Sequence, residues 1–148
     1  YKGDREHIQI RLQLHEEPLS IRGDSVRLRQ GMHNLIKNAI EAMRDGEISL
    51  LVINTFIDTS GHSKYAGIKI IDNGPGVANH LIARIFDPYM TTKVKGNGLG
   101  LAIVKKIIEE HNGAIRIENS EDQGATVSMR FPLHSQTSKH PTHIGAVH

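Results

Sequence analysis

"IDNGPGV", Ile71 to Val77, closes an apolar β-run that begins at Gly67 and sets Asp72 against two glycines and a proline. Asn-Gly beside a β-run is a strong short-range hairpin signal, so a plain turn is the first reading. A hairpin, however, needs a returning strand. The segment that follows, "VANHLIARIF" (Val77 to Phe86), spaces Leu81, Ile82 and Ile85 as a short helix does and does not alternate. The stretch therefore reads as a strand ending in a carboxylate, then a glycine-rich loop, then a helix. In that arrangement Asp72 and closely approachable backbone line a cleft.

Upstream, "HIQIRLQL" (His7 to Leu14) alternates strictly, with Ile8, Ile10, Leu12 and Leu14 on one face and Gln9, Arg11 and Gln13 on the other; Pro18 interrupts before the second short run "LSIRG". Asp24 or Ser25 can cap a long helix in which Leu28, Met32, Leu35, Ile36, Ala39, Ile40 and Met43 recur every three to four residues, with Gly46 just past its end. Two β-runs, "ISLLVINTFI" and "YAGIKIID", flank the turn-rich "DTSGHSK". Downstream of the loop and the short helix, "DPYMTTKVKGN", which contains Pro88, is polar and unpatterned. A second strong helix, "LGLAIVKKIIEEH", stops at Asn112-Gly113 and leads to "AIRIEN" and "ATVSMRFPL", where Val127, Met129 and Phe131 alternate with Ser128 and Arg130. Strands in mostly antiparallel pairs with helices between them predict an α+β, two-layer α/β sandwich, its helices on one face of a mixed sheet, and not a doubly wound fold.

The chain has 148 residues, 38% of them hydrophobic, enough for one domain with a real core. A formal charge of +2 offers no basic stripe for nucleic acid, and the sequence pI of about 9.0 does not alter this. No apolar run approaches the roughly 20 residues of a membrane span, and the first residues lack a signal peptide's apolar core, so no membrane contact is expected of this piece. The absence of cysteine excludes a disulfide framework and thiolate metal sites, which fits a reducing cytoplasm. The tail from 134 to 148 is low in apolar content and is expected to fray; its histidines, His134, His140, His143 and His148, lack a compact ligand spacing.

Two stretches besides the Asp72 loop can carry chemistry. In the first helix Asn34 and Asn38 stand at i and i+4, on a face roughly opposite the apolar stripe, with Glu41 near the next turn. Asparagine is a mediocre helix former, and its amide oxygen suits Mg²⁺, which takes one or two protein oxygens and completes its octahedron with phosphate and water. A solvated face is the alternative. In "KGNGLGLAIV", Gly96, Gly98 and Gly100 precede and open the second helix, where free amides and the helix dipole favour an anion. The stretch is neither a Walker A loop nor a dinucleotide fingerprint, because Leu101 stands where the third glycine would be and a polar loop precedes it. The stations of eukaryotic-type kinases are also absent.

The order of these pieces resembles the ATP-binding catalytic domain of sensor histidine kinases, in the superfamily of gyrase, the Hsp90 chaperones, histidine kinases and MutL. "NLIKNA" is similar to the N box, "DNGPG" to the G1 box, "IFDPYMTTK" to the F box and start of the lid, "GNGLGLAIV" to the G2 box and "GATVSM" to the G3 box. The resemblance covers about residues 6 to 133, and "NAIEAM" with the Pro-Tyr-x-Thr-Thr-Lys lid looks most like the nitrogen-regulation branch. It implies a Bergerat-type ATP-binding fold over residues 1–133, followed by the flexible tail.

The resemblance also implies roles. Asp72 would accept a hydrogen bond from the adenine amino group, Gly74, Gly76 and Val77 would close over the base, and Thr126 would support the same edge. Ala42, on the first helix, would complete the pocket. Asn38 would ligate Mg²⁺ between the phosphates, Asn34 would contact phosphate or metal, and the amides of Gly98, Leu99, Gly100 and Leu101 would hold the phosphate chain. From the lid, Lys93, with Thr91 and Thr92, would reach the terminal phosphate, Tyr89 would lie along ribose or base, and Phe86 would anchor the lid in the core.

Two positions depart from the pattern. Glu41 stands where many members carry lysine, leaving Lys37, Lys93 or Arg44 to supply positive charge, and the Gly-x-Gly-Thr of the G3 box is reduced to "DQGAT". Hydrolytic members place a general-base glutamate where this chain has Asn34; an amide cannot take that proton, which favours transfer to a protein nucleophile. The resemblance implies a chain that binds ATP and Mg²⁺ and phosphorylates a histidine on a dimerisation domain of the same parent protein, which passes the group to a response regulator. A related serine kinase or ATPase, or an inactive nucleotide-binding regulator, is the alternative. His15, in "LHEEP", ends a β-run and is a poor acceptor. The isolated domain is expected to be cytoplasmic and monomeric.

Overall fold

The computed structural model describes residues 8–43, 49–59, 61–87, 100–120, 124–134 and 142–143. Five strands form the main sheet: β1 (Ile8–Gln13), β3 (Ser49–Asp58), β4 (Tyr65–Asp72), β6 (Ala125–Pro132) and β5 (Ala114–Asn119), in that spatial order. β1 runs parallel to β3, and every other neighbour pair is antiparallel. The sheet is therefore mixed. The helices α1 (Ser25–Ala42) and α3 (Gly100–Glu110) pack on each other and over β3, β4 and β5, while the short α2 (Asn79–Ile82) follows the Asp72 loop. The sequence expectation of a two-layer sandwich with helices on one face holds.

Alternation in the strands produces the core. In β3 buried Leu51 and Ile53 alternate with half-buried Leu50 and Val52, and the β4 partners Ile68 and Ile70 carry the same face onward to Met129 of β6. Leu28, Leu35, Ala39 and Met43 of α1 and Val104, Ile107 and Ile108 of α3 close the other side. Burial of one such aliphatic side chain contributes roughly 1.5–3 kcal/mol. Of the two possible caps, Asp24 is the one used: its Oδ1 accepts from the amides of Val26 at 3.0 Å and Arg27 at 3.3 Å. α3 closes with Asn112 at φ 58° and with the amides of Asn112 and Gly113 donating to Glu109 and Ile108.

Three details differ from the expectation. β1 forms, yet its apolar face is not covered: Ile10 is 55% exposed and Leu12 46%, because β1 is an edge strand beyond the span of the helices. The two opening runs do not lie together, since β2 (Ser20–Ile21) pairs with β7 (Thr142–His143) in a separate two-stranded sheet. The tail thus contributes a backbone pairing at residues 142–143. Finally, Phe86 is half-buried outside the core cluster, with the Lys105 ammonium of α3 5.9 Å from its ring.

Candidate functional site

Asp72 stands at the end of β4, and the next element among the described residues is α2 (Asn79–Ile82); the hairpin reading of "IDNGPGV" fails in favour of strand, loop and helix. Its Oδ1 accepts from the amides of Gly74 at 2.9 Å and Ala125 at 3.3 Å. Burial of Asp72 raises its pKa above the usual carboxylate value, and the two amide hydrogen bonds offset part of that rise. Among the described residues Oδ2 has no hydrogen-bond partner, so one oxygen fixes the carboxylate and the other can receive a donor.

The loop is held by close backbone approach. Gly124 adopts φ 91°, and a side chain there would collide with the Asp72 carbonyl, so β6 can enter beside the loop only with glycine at this position. The single glycine that survives in the G3 stretch is the one the packing requires. Gly76 adopts φ 81°, and a methyl group on it would sit 2.7 Å from Asn119 Oδ1. A methyl group on Gly74 would lie 3.3 Å from both the Ala42 carbonyl oxygen and Met43 Cγ, which places the loop against the last turn of α1.

One turn earlier on α1, the Asn38 Nδ2 lies 3.9 Å from the Cβ position of Gly100, at the start of α3. The asparagines are therefore not on a solvated face opposite the core: Asn34 and Asn38 are half-buried, on the flank along which α3 runs and where Gly31 meets Ile107. The last two turns of α1 thus touch both the Asp72 loop and the start of α3. Leu101 in the first turn of α3 packs on the core.

Thr126 is not brought to this edge. It pairs with Ile71, and alternation puts it on the sheet face opposite Asp72 and Ala125; its hydroxyl meets Ser120 Oγ at 2.9 Å. The backbone amide of Ala125, one residue earlier, takes the place expected for the threonine hydroxyl. Tyr89, Thr91, Thr92, Lys93, Gly98 and Leu99 lie outside the described residues, as does Arg44. His15 sits in the turn after β1, its Nδ1 3.0 Å from the Glu17 carbonyl, not on a helix. Among the described residues no three of His, Cys, Asp and Glu cluster as a metal site.

Two asparagines escaped the sequence reading. Asn73 Oδ1 accepts from the Leu50 amide at 3.0 Å, tying the start of the loop to β3. Asn119, at the end of β5, accepts from Val77 N and donates to Val77 O, both at 2.7 Å. A residue of low β-propensity closing a strand was the available signal.

A half-buried carboxylate at a sheet end, a glycine loop beside it and an asparagine against the start of a second helix define a nucleotide-binding α/β sandwich of the Bergerat type. A profile of the family described as "Histidine kinase-, DNA gyrase B-, and HSP90-like ATPase" matches residues 23–135, and the chain belongs to that family. It is 37% identical over 125 residues to Sporulation kinase A of Bacillus subtilis (strain 168), covering 84% of this chain and 20% of that protein. It is 39% identical over 125 residues to the putative sensor histidine kinase NtrY-like of Rickettsia bellii (strain RML369-C), with 84% and 20% coverage, which supports the nitrogen-regulation branch. The solved catalytic domain of histidine kinase ThkA superposes with a TM-score of 0.74 at 33% identity, covering 88% of this chain and 84% of that one. The chain is a histidine-kinase catalytic domain, and it spans about a fifth of the curated relatives named here.

Proposed function

We propose that this domain holds ATP between the Asp72 loop and the start of α3 and transfers the γ-phosphate to a histidine on a dimerisation domain of the parent protein. The observation that carries the reading is the meeting of Asp72, the end of α1 and Gly100 at one end of the sandwich. Asp72 Oδ2 receives the adenine amino group, with Gly74, Gly76, Val77 and Ala42 around the base. The amides of Gly98, Leu99, Gly100 and Leu101 receive the phosphates at the positive end of α3. Lys93, with Thr91 and Thr92, meets the terminal phosphate, and Tyr89 lies along the nucleoside.

The side-chain amide of Asn38 lies beside Gly100 at the start of α3, and its neutral oxygen would hold magnesium, with Asn34 a turn away. Magnesium held there would supply neutralisation of the phosphate charge. Transfer forms a bond from an imidazole nitrogen to the γ-phosphorus and breaks the bond from that phosphorus to the β,γ-bridging oxygen, ADP leaving with the electron pair. With Asn34 in place of a general-base glutamate, that position cannot take a proton from water, which favours transfer of the phosphoryl group to the histidine and then to a response regulator.

No helix among the described residues is long and apolar enough to cross a membrane. Our reading places the domain at 1–133 with a short tail, in the cytoplasm and monomeric. The test mixes the chain with labelled ATP and a separately made phosphoacceptor domain of the same parent. Label should move to histidine, and Asn38→Ala should abolish the transfer while the fold survives. Transfer by that variant at the wild-type rate would remove Asn38 from the mechanism.

A further inference from the structure

Asn119 grips both backbone groups of one loop residue. Its Oδ1 accepts from Val77 N–H and its Nδ2 donates to Val77 C=O, each at 2.7 Å, so the side-chain amide does what a neighbouring strand's peptide does in a sheet. The same Nδ2 lies 3.4 Å from Asn79 Oδ1, at the first residue of α2. Gly76 permits the approach, since its φ of 81° is glycine's and any Cβ would sit 2.7 Å from Asn119 Oδ1. Behind Asn119, the Ser120 amide donates to Gly124 O at 2.9 Å, and Gly124 packs on the Asp72 carbonyl. The loop is thus pinned near both ends: at Asn73 and Gly74 by β3 and Asp72, and at Val77 by β5.

We infer that Asn119 is a positioning residue for adenine recognition: by holding Val77 it sets the wall of the pocket that faces the base, and so fixes affinity for the nucleoside part of the ligand without touching the phosphates. This rests on the nucleotide reading above. Asn119 is exposed and outside the core, so its loss leaves the packing of the sandwich in place.

The test compares wild type, Asn119→Ala and Asn119→Asp by calorimetry with ADP and with inorganic tripolyphosphate, and by amide hydrogen exchange at Val77. Asn119→Ala should weaken ADP roughly tenfold, as expected for two lost hydrogen bonds, and leave tripolyphosphate within about twofold. Val77 exchange should rise in the nucleotide-free chain. Asn119→Asp keeps the acceptor for Val77 N–H and should lose less than alanine does; it also serves should the alanine variant misfold. In transfer assays KM for ATP should rise while kcat stays within twofold. A wild-type chain that binds no ADP overturns the nucleotide reading and this inference with it. A wild-type chain that binds ADP, matched by Asn119→Ala in affinity and Val77 exchange, overturns the inference alone.

Discussion

The two ends of the α1–α3 pair are built on different principles. At one end side-chain hydrogen bonds and an ion pair dominate, with Gly23 making room for the His111 ring: Asp24 caps α1, His111 Nε2 accepts the Asp24 amide at 2.9 Å, His111 Nδ1 donates to Ile107 O at 2.7 Å, and Arg27 pairs with Glu110 at 2.6 Å. With Nε2 accepting the Asp24 amide, Nδ1 is the ring nitrogen left to donate to Ile107 O. At the other end contact is made by backbone and glycine, at Gly74, Gly100 and Gly124, and a carboxylate is kept partly buried with one oxygen unclaimed among the described residues. The first end ties the helices together; the second is where our functional reading places the ligand. Sites that must bind are commonly drawn from groups a stable fold would prefer to satisfy.

The sharpest test of that division is Asp72→Asn. Placing an amide donor where the adenine amino group needs an acceptor should cost about 1–3 kcal/mol of ADP binding, seen by calorimetry, with no loss of melting temperature. Equal affinity would return the loop to a simple turn. The pH behaviour follows from the same carboxylate. Its folded pKa is raised, so its contribution to stability is greatest when protonated and declines as pH rises from the model-compound value of 3.8 through the folded pKa. ADP affinity should run the opposite way, falling as acid protonates Asp72 at a higher pH than an ordinary aspartate would require. The Asn variant should flatten both curves.

Gly124→Ala comes next, because strain at φ 91° and a collision with the Asp72 carbonyl should cost about 1–3 kcal/mol of stability and disturb nucleotide binding together. At the opposite end the two effects should separate. His111→Ala should lower stability by about 0.5–1.5 kcal/mol in denaturant melts, with ADP affinity unchanged. Arg27→Ala should matter least, about 0.2–1 kcal/mol and less in salt, since both partners are more than two-fifths exposed. A change in ADP affinity in either variant would join the two ends and break the contrast.

Local signals carried most of the fold. The α1 stripe, the Asp24 cap, the stop at Asn112-Gly113 and the alternation of β3, β4 and β6 can each be read within a dozen residues, and each is present. Pairing between distant strands is not written locally, so the β1–β3 register and the escape of Ile10 and Leu12 from cover could not be read from "HIQIRLQL". In the site, Asp72 and the loop glycines were legible because their residue types are costly anywhere else. Thr126 was misplaced because strands change face at every residue, and a box of residues in sequence does not say which of them faces the ligand. Asn119 escaped because its role depends on a loop more than 40 positions away.

The glycines after Asn73 and Asn112 also bear on how the chain ages. At an Asn-Gly step the glycine nitrogen can attack the asparagine side-chain carbonyl, expelling ammonia and leaving a succinimide that hydrolyses to aspartate or isoaspartate. In the folded chain the Gly74 N–H is engaged by Asp72 and the Gly113 N–H by Ile108, so the nucleophile at both steps is already occupied. Isoaspartate at these two peptides should therefore accumulate slowly while the fold persists and rise on unfolding, which peptide mapping after mildly alkaline incubation would read. The hydrogen bonds that shape the loop and close the helix thereby double as chemical preservation of the two asparagines beside them.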